Sequence, residues 1–383
     1  MSAAAWWSVL RAVPRTVGTL FSAGVFLVPS VLPDRCGPEW RQRYALAPGV
    51  RLTVVESPFR SLSYRLTEAE VGPGSLALLG GRLSRTRPLS RLAGDAGPAV
   101  LAAVNGDFFD IGGSGVPLGP VIRDGEVVKA SAEPVKAVGA DVTGRLRKGR
   151  VELAGTVSVA GRPHPLACLN CLSVADGFTV YTPDWGEVAR PGRRSGPVRQ
   201  LTVSAGRVVD VRTGTDGRPV PGDGFLVVAA GRAAREVAAA GPGAAVSFTA
   251  GQKPRRRPWA LAIGYRGTLL RHGEIPAFRD TPRYRVREPR TALGWDDTGR
   301  RLWLLVVDGR SSRSAGLTVA GTAWLLRSHG VRNAVMLDGG GSAEMLARTS
   351  PGALEIVSTP SGGEERPVPN GLALLTPKQR ENR

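Results

Sequence analysis

Residues 302–346 read LWLLVVDGR, then SSRSAGLTVAGTAWLLRSHG, then VRNAVMLDGGGSAEML. Two short apolar runs, 302–307 and 334–337, are rich in branched residues, and each is followed by an Asp-Gly turn, at Asp308 and Asp338. Runs of this kind fit buried strands, and the segment between them carries its apolar residues at helical spacing. The spacing predicts a strand, a crossover helix and a second strand. About thirty residues separate the two aspartates, the usual length of a unit whose strands run parallel in one sheet. Both carboxylates are then expected at strand C-termini, the crevice where ligands of open α/β sheets bind.

The rest of the chain extends this expectation to an α+β (mixed α/β) fold, with mixed sheets and a C-terminal βαβ unit whose strand ends form the crevice. With 383 residues, 42% of them apolar, there is material for a sizeable core. Fifty Gly and thirty Pro among many short apolar runs favour sheets and loops over a helical bundle. Strands are expected at 50–56, 61–66, 76–79, 99–104, 151–159, 177–181, 200–203, 208–212 and 225–229, and a short helix at 233–240. No repeat or long polar linker divides them. The expected organisation is a signal peptide or membrane anchor over 1–37, one domain over 38–376 and a polar tail over 377–383, with 145–252 as a conceivable insertion.

The formal charge of +19 arises from 51 basic and 32 acidic residues, nearly all the basic ones Arg. Such a charge attracts phosphates of any kind, including anionic cell-surface polymers and lipid head groups. The arginines are scattered, aromatics make up 6%, and no zinc-finger, RNP-like or basic-zipper pattern is present, so specific nucleic-acid recognition is not expected. Arg255, Arg256 and Arg257 form the densest cluster, between two prolines, and read as a solvated loop. At the N-terminus, Arg11 and Arg15 precede an apolar stretch at 17–32. Its sixteen residues suit a signal h-region and fall short of the roughly twenty a spanning helix needs. Export or anchoring outside the cytoplasm is the expectation. Cys168 and Cys171 form a C-x-x-C pair without the second ligand pair of a structural zinc site, and an exported chain can join two of its three cysteines, Cys36 included.

Four constellations can carry chemistry. AAVNGDFFD (102–110) runs a small apolar strand into Asn105, Gly106 and Asp107. EPRTALGW brings Arg290 to a strand start, where its planar fork suits an oxyanion. VVDGRSSRSAG holds Asp308, Arg310 and Ser314, and LDGGGSAEM holds Asp338, Gly339, Gly340, Gly341 and Ser342. Three successive glycines can take positive φ and turn several N–H groups toward an anion. Neither the P-loop nor the dinucleotide pattern is present.

In that order, NGDFF, RTALG, DGRSSRSAG, LDGGGS and RPVPNGLAL resemble the phosphodiester glycosidase family, which includes a lysosomal enzyme that removes N-acetylglucosamine from phosphodiester-linked mannose. The likeness runs over roughly residues 100–375. It implies a hydrolase of the bond between a sugar's anomeric carbon and a phosphate. It also implies catalytic roles for Asp338, Asp308, Arg290 and Asn105, and substrate contacts for Asp107, Arg310, Ser314, Gly339, Gly340, Gly341, Ser342, Arg366 and Asn370. The expected partner is a glycosyl phosphodiester or anionic cell-wall glycan. Arg290, with Arg310 and the glycine amides, would stabilise the departing phosphate, and Asp338 or Asp308 would serve as base, nucleophile or sugar-hydroxyl ligand. Paired carboxylates can also hold a hard cation such as calcium. A non-catalytic module binding anionic wall polysaccharide is the alternative function.

Overall fold

Three antiparallel sheets dominate the architecture. The computed structural model describes residues 39–376 except 173–175, 188–195, 216, 218, 254–255, 279–280 and 351. The N-terminal segment 1–37, Cys36, Arg255 and the tail 377–383 lie outside the described residues. The first sheet has seven strands, in the order Trp40–Ala47, Val50–Ser57, Leu62–Glu70, Arg301–Val307, Arg290–Trp295, Asn333–Met336 and Gly267–Leu270. A five-stranded sheet runs Ala353–Ile356, Met345–Ser350, Val100–Asn105, Gly371–Leu375 and Leu76–Leu79. The third, of eleven strands, takes its strands from residues 121–264. Six of these, Arg162–Leu169, Glu126–Ser131, Val121–Arg123, Trp259–Gly264, Val135–Asp141 and Leu146–Val159, pair in sequence and return to the first, closing a small barrel. Closure removes the sheet edges that would otherwise stay open.

This is a mostly β protein, which corrects the expected α+β fold and its C-terminal βαβ unit. Both strands of that unit exist, at Arg301–Val307 and Asn333–Met336, with the helix Val319–Ser328 between them. They do not pair with each other. The earlier strand Arg290–Trp295 lies between them and is antiparallel to both. Periodicity cannot reveal such an inserted strand, because strand and helix patterns are local while pairing partners are not. Among the described pairings only one is parallel, Arg162–Leu169 with Gly177–Tyr181.

The helix Val319–Ser328 begins at Thr318, whose Oγ1 accepts the Gly321 N–H at 2.9 Å. That cap satisfies a backbone donor left over at the helix start. Val319, Ala323 and Leu326 are buried in a cluster with Tyr64, Leu269, Trp303 and Leu305 on one face of the seven-stranded sheet. The opposite face packs against the five-stranded sheet, with Leu304, Val306, Leu337, Val104 and Met345 in a single cluster. Most expected strands lie where they were anticipated, whereas the short helix is trimmed to Arg232–Glu236. Arg123-Asp124-Gly125-Glu126 makes its tight hairpin with positive φ at both central residues, 50° and 84°. The Cys168 and Cys171 sulfurs are bonded to each other.

Candidate active site

The ends of strands from two sheets meet at Asn105. Its strand, Val100–Asn105, is buried throughout and central in the five-stranded sheet. Asn105 Nδ2 donates to the Asp338 carbonyl at 2.7 Å, and its Oδ1 accepts from Thr291 Oγ1 at 2.7 Å and from the Glu344 N–H at 3.2 Å. A buried amide satisfied at both ends fixes its partners firmly. Next along the chain, the Gly106 carbonyl accepts the Asp338 N–H and the Gly106 N–H donates to the Asn370 carbonyl, both at 3.0 Å. The Asp107 N–H donates to Asn370 Oδ1 at 2.9 Å. A Cβ at Gly106 would stand 2.2 Å from Asn370 Oδ1, so the motif requires glycine there. The expected Asn-Gly hairpin turn is therefore an inter-sheet junction, and it draws NGDFF, RTALG, LDGGGS and RPVPN together.

The Gly339–Gly341 run is shaped to admit two arginines. A Cβ at Gly341 would stand 2.2 Å from the Arg366 guanidinium, and one at Gly340, where φ is +61°, would stand 3.1 Å from that of Arg310. Arg366 Nη1 also reaches Ser342 Oγ at 3.5 Å. The expected amide nest is partly consumed from within, since the Gly339 N–H donates to Asp338 Oδ1 at 3.0 Å and the Gly340 N–H to the Pro289 carbonyl at 2.9 Å. Anion contacts on this turn thus fall mainly to guanidinium groups. Arg310 is about half exposed and its Nε donates to Glu288 Oε2 at 2.6 Å.

Asp338 sits half-buried at the head of this turn. Burial raises its pKa, while bonds from Ser342 and the Gly339 N–H and the charges of Arg366 and Arg266 pull it back down. Asp107 is close enough for the two carboxylates to raise each other's proton affinity. Burial pushes Asp107 up to about 6, against the Gly119 N–H at 2.7 Å and the charge of Lys129. Burial lowers Lys129 to about 8, with Asp107 holding it up, and its Nζ donates to the Gly119 carbonyl at 2.8 Å. Gly119 and Gly264 leave room for this pair, since a Cβ at either would come within 2.5 Å of Asp107 Oδ2. Paired carboxyl groups held at different proton affinities are the usual raw material of acid–base chemistry.

Three expected site residues are engaged elsewhere. Asp308 forms a buried ion pair with Arg65 and accepts from Ser63 Oγ and the Thr359 N–H, both at 2.9 Å. Burial raises its pKa against the charge of Arg65. Ser314 is fully buried, donating to the Asp308 carbonyl at 2.7 Å and accepting the Ser63 N–H at 3.1 Å. Arg290, also buried, spends Nε on the Leu317 carbonyl at 2.9 Å and Nη2 on that of Val286 at 2.8 Å. Among the described residues no three His, Cys, Asp or Glu side chains gather as a metal site. Lys129 and Arg266 were not anticipated from the sequence. Arg266 lies with its guanidinium 4.7 Å over the Phe108 ring, and its charge acts on Asp338. A lysine within the apolar run EVVKAS was the available signal for Lys129.

A model of the phosphodiester glycosidase family matches residues 198–375. SPbeta prophage-derived uncharacterized protein YomE of Bacillus subtilis is 37% identical over 92 residues, which are 24% of this chain and 13% of that protein. A hypothetical protein from Synechocystis has the same fold, with a TM-score of 0.67 at 20% identity over 87% of this chain and 63% of its own. So has a Burkholderia pseudomallei protein described as exported, with 0.61 at 22% identity over 82% and 74%. The zebrafish N-acetylglucosamine-1-phosphodiester alpha-N-acetylglucosaminidase catalytic domain, auto-inhibited by its pro-peptide, aligns over 88% of each chain at 18% identity with a TM-score of 0.43. The chain spans less than two thirds of the Bacillus and Synechocystis proteins. RTALG, DGRSSRSAG, LDGGGS and RPVPN all lie within the matched residues, and it is the phosphodiester glycosidase family that this chain resembles there.

Proposed function

We propose that the protein hydrolyses the glycosidic bond between a sugar's anomeric carbon and the phosphate of a phosphodiester. Cleavage of that bond builds positive charge on the sugar ring and negative charge on the departing phosphate. The observation that carries the reading is Asp338, an accessible carboxylate on a turn that also seats Arg366 and Arg310. Arg366 and Arg310 receive the phosphate, and Asp338 meets the ring carbon or the attacking water. Asp107, poised near neutrality beside Lys129, exchanges a proton with Asp338 or with the leaving group. Fixed cations aimed at developing charge commonly contribute the largest catalytic effect, about 10²–10³ in rate per donor.

We place the substrate outside the cytoplasm, as a glycan or sugar-phosphate polymer of the cell wall. Support comes from the N-terminal apolar stretch after Arg11 and Arg15, and from the basic surface charge. Among the described residues no helix is long and apolar enough to cross a membrane. The test is release of free sugar from a panel of sugar-1-phosphodiesters, with Asp338→Asn as the control. Release by the wild type alone supports the hydrolase and names its sugar. Tight retention of wall polymer with no release from any panel member would replace it with a non-catalytic binding module.

A further inference from the structure

Glu344 and Glu365 lie just beyond the two arms of the site, and the proposed reaction uses neither. Glu344 is 3% exposed, two residues past Ser342, and Glu365 immediately precedes Arg366. The two carboxyl groups hydrogen-bond each other. Glu365 is anchored in turn, accepting the Ser90 N–H at 2.9 Å and Ser90 Oγ at 2.6 Å. Two buried carboxyls in contact cannot both be ionised, so they hold one proton between them. Burial and the neighbouring Glu365 push Glu344 up to about 9. Glu365, which burial alone would raise, is held below its usual value by its bonds with Glu344 and Ser90 and by the charge of Arg91. Glu344 is therefore the protonated partner and donates to Glu365. Its Oε1 has no protein partner, as suits the carbonyl oxygen of a neutral acid.

We propose that this proton-sharing pair is a positioning clamp that ties residue 365 to the end of the glycine turn and so holds Arg366 against Gly341 and Ser342. The surroundings leave the pair one way to fail. Glu344 faces Glu365, while Glu365 faces Glu344, Ser90 and the Arg91 charge. Loss of the shared proton sets two buried negative charges against each other, and Arg91 can offset only part of that repulsion. The strap carrying Arg366 then separates from the turn, and the turn keeps Arg310 alone as its seated cation. The effect on turnover rests on the glycosidase reading, whereas the clamp itself is read through anion binding and stability.

The experiment measures binding of inorganic phosphate to the full chain by calorimetry from about pH 8 to about pH 10, bracketing the Glu344 value. Wild type is compared with Glu344→Gln, which keeps a donor toward Glu365 and cannot ionise. Equal affinity is expected at the lower pH. At the upper pH the wild type is expected to bind about tenfold more weakly than the variant. Stability follows the same proton. A folded-state value near 9 against 4.5 for the free side chain means that this contribution is complete below about 4.5 and is lost as pH rises through about 9. The wild-type melting temperature should therefore fall relative to Glu344→Gln across that window. Superimposable profiles, or a Glu344→Gln protein that binds as weakly as Arg366→Ala at the lower pH, overturn the clamp. So does a wild type that binds no phosphate at any pH. Absence of sugar release with the pH difference intact counts against the glycosidase reading alone.

Discussion

Asp308 and Asp338 each follow a buried strand, Arg301–Val307 and Asn333–Met336, and each is followed by glycine, yet the molecule uses them in opposite ways. Asp308 is 4% exposed, and its carboxylate is taken up by Arg65, Ser63 and the Thr359 N–H. Asp338 remains half-open, its neighbours being its own turn, the charges of Arg366 and Arg266, and Asp107. What separates them is Arg65, 243 residues upstream of Asp308. A guanidinium buried beside a carboxylate turns a reactive group into a fastener, because once dehydrated the pair is costly to part.

The comparison can be broken by exchanging the two losses. Asp338→Asn is expected to lower kcat on a sugar-1-phosphodiester by about 10³-fold or more while leaving the urea midpoint nearly unchanged. Asp308→Asn is expected to do the reverse. It removes one side of a buried ion pair, for which a loss of about 3–5 kcal/mol in urea unfolding is typical, while the protein that stays folded keeps its kcat. A large kcat loss for folded Asp308→Asn would show that the site extends to that turn.

The arginines on the glycine turn sharpen the contrast at smaller scale. Arg366→Ala should lower kcat by about 10²-fold. Arg310→Ala, half exposed and shared with Glu288, should cost less than about tenfold. Equal losses would mean that both guanidiniums bear on the phosphate alike. The smallest effect is a pH slope. Asp107 is raised from 3.8 to about 6 by burial, so its stabilising contribution is complete below about 3.8 and disappears as pH rises through about 6. Asp107→Asn should lack that decline when chemical unfolding is followed between the two values. Matching slopes in wild type and variant would remove Asp107 as the buried acid of the site.

Local chemistry explains which parts of this arrangement were legible in the sequence. The strands are short, apolar and punctuated by Gly, Pro and Asp, and most were placed correctly on that ground. Asp338 and its glycines were recognisable because a run of three glycines after an apolar strand needs a backbone reason, and admitting Arg310 and Arg366 is that reason. The βαβ reading failed because nothing in residues 302–346 records that Arg290–Trp295 inserts between the two strands. Arg290 offered the same side chain as Arg366, and only the carbonyls of Val286 and Leu317 show that its fork is occupied. Lys129 and Glu344 sit inside apolar runs, EVVKAS and SAEML, where an ionisable residue signals a buried partner without naming it.

The five-stranded sheet interleaves the chain's two ends. Val100–Asn105 is hydrogen-bonded between Met345–Ser350 and Gly371–Leu375, so the strand that delivers Asn105 is flanked by strands more than two hundred residues later. Contacts of such long range make folding slow, since the intervening loop must close before pairing rewards it. The site is consequently the last thing an emerging polypeptide can complete, because Asn105 waits for Asp338 and Asn370. A protein shortened to the family-matched residues 198–375 would keep the arginines and the glycine turn but leave the middle of that sheet empty. Activity here is a property of near-complete synthesis, which delays hydrolysis until almost the whole chain is available to fold.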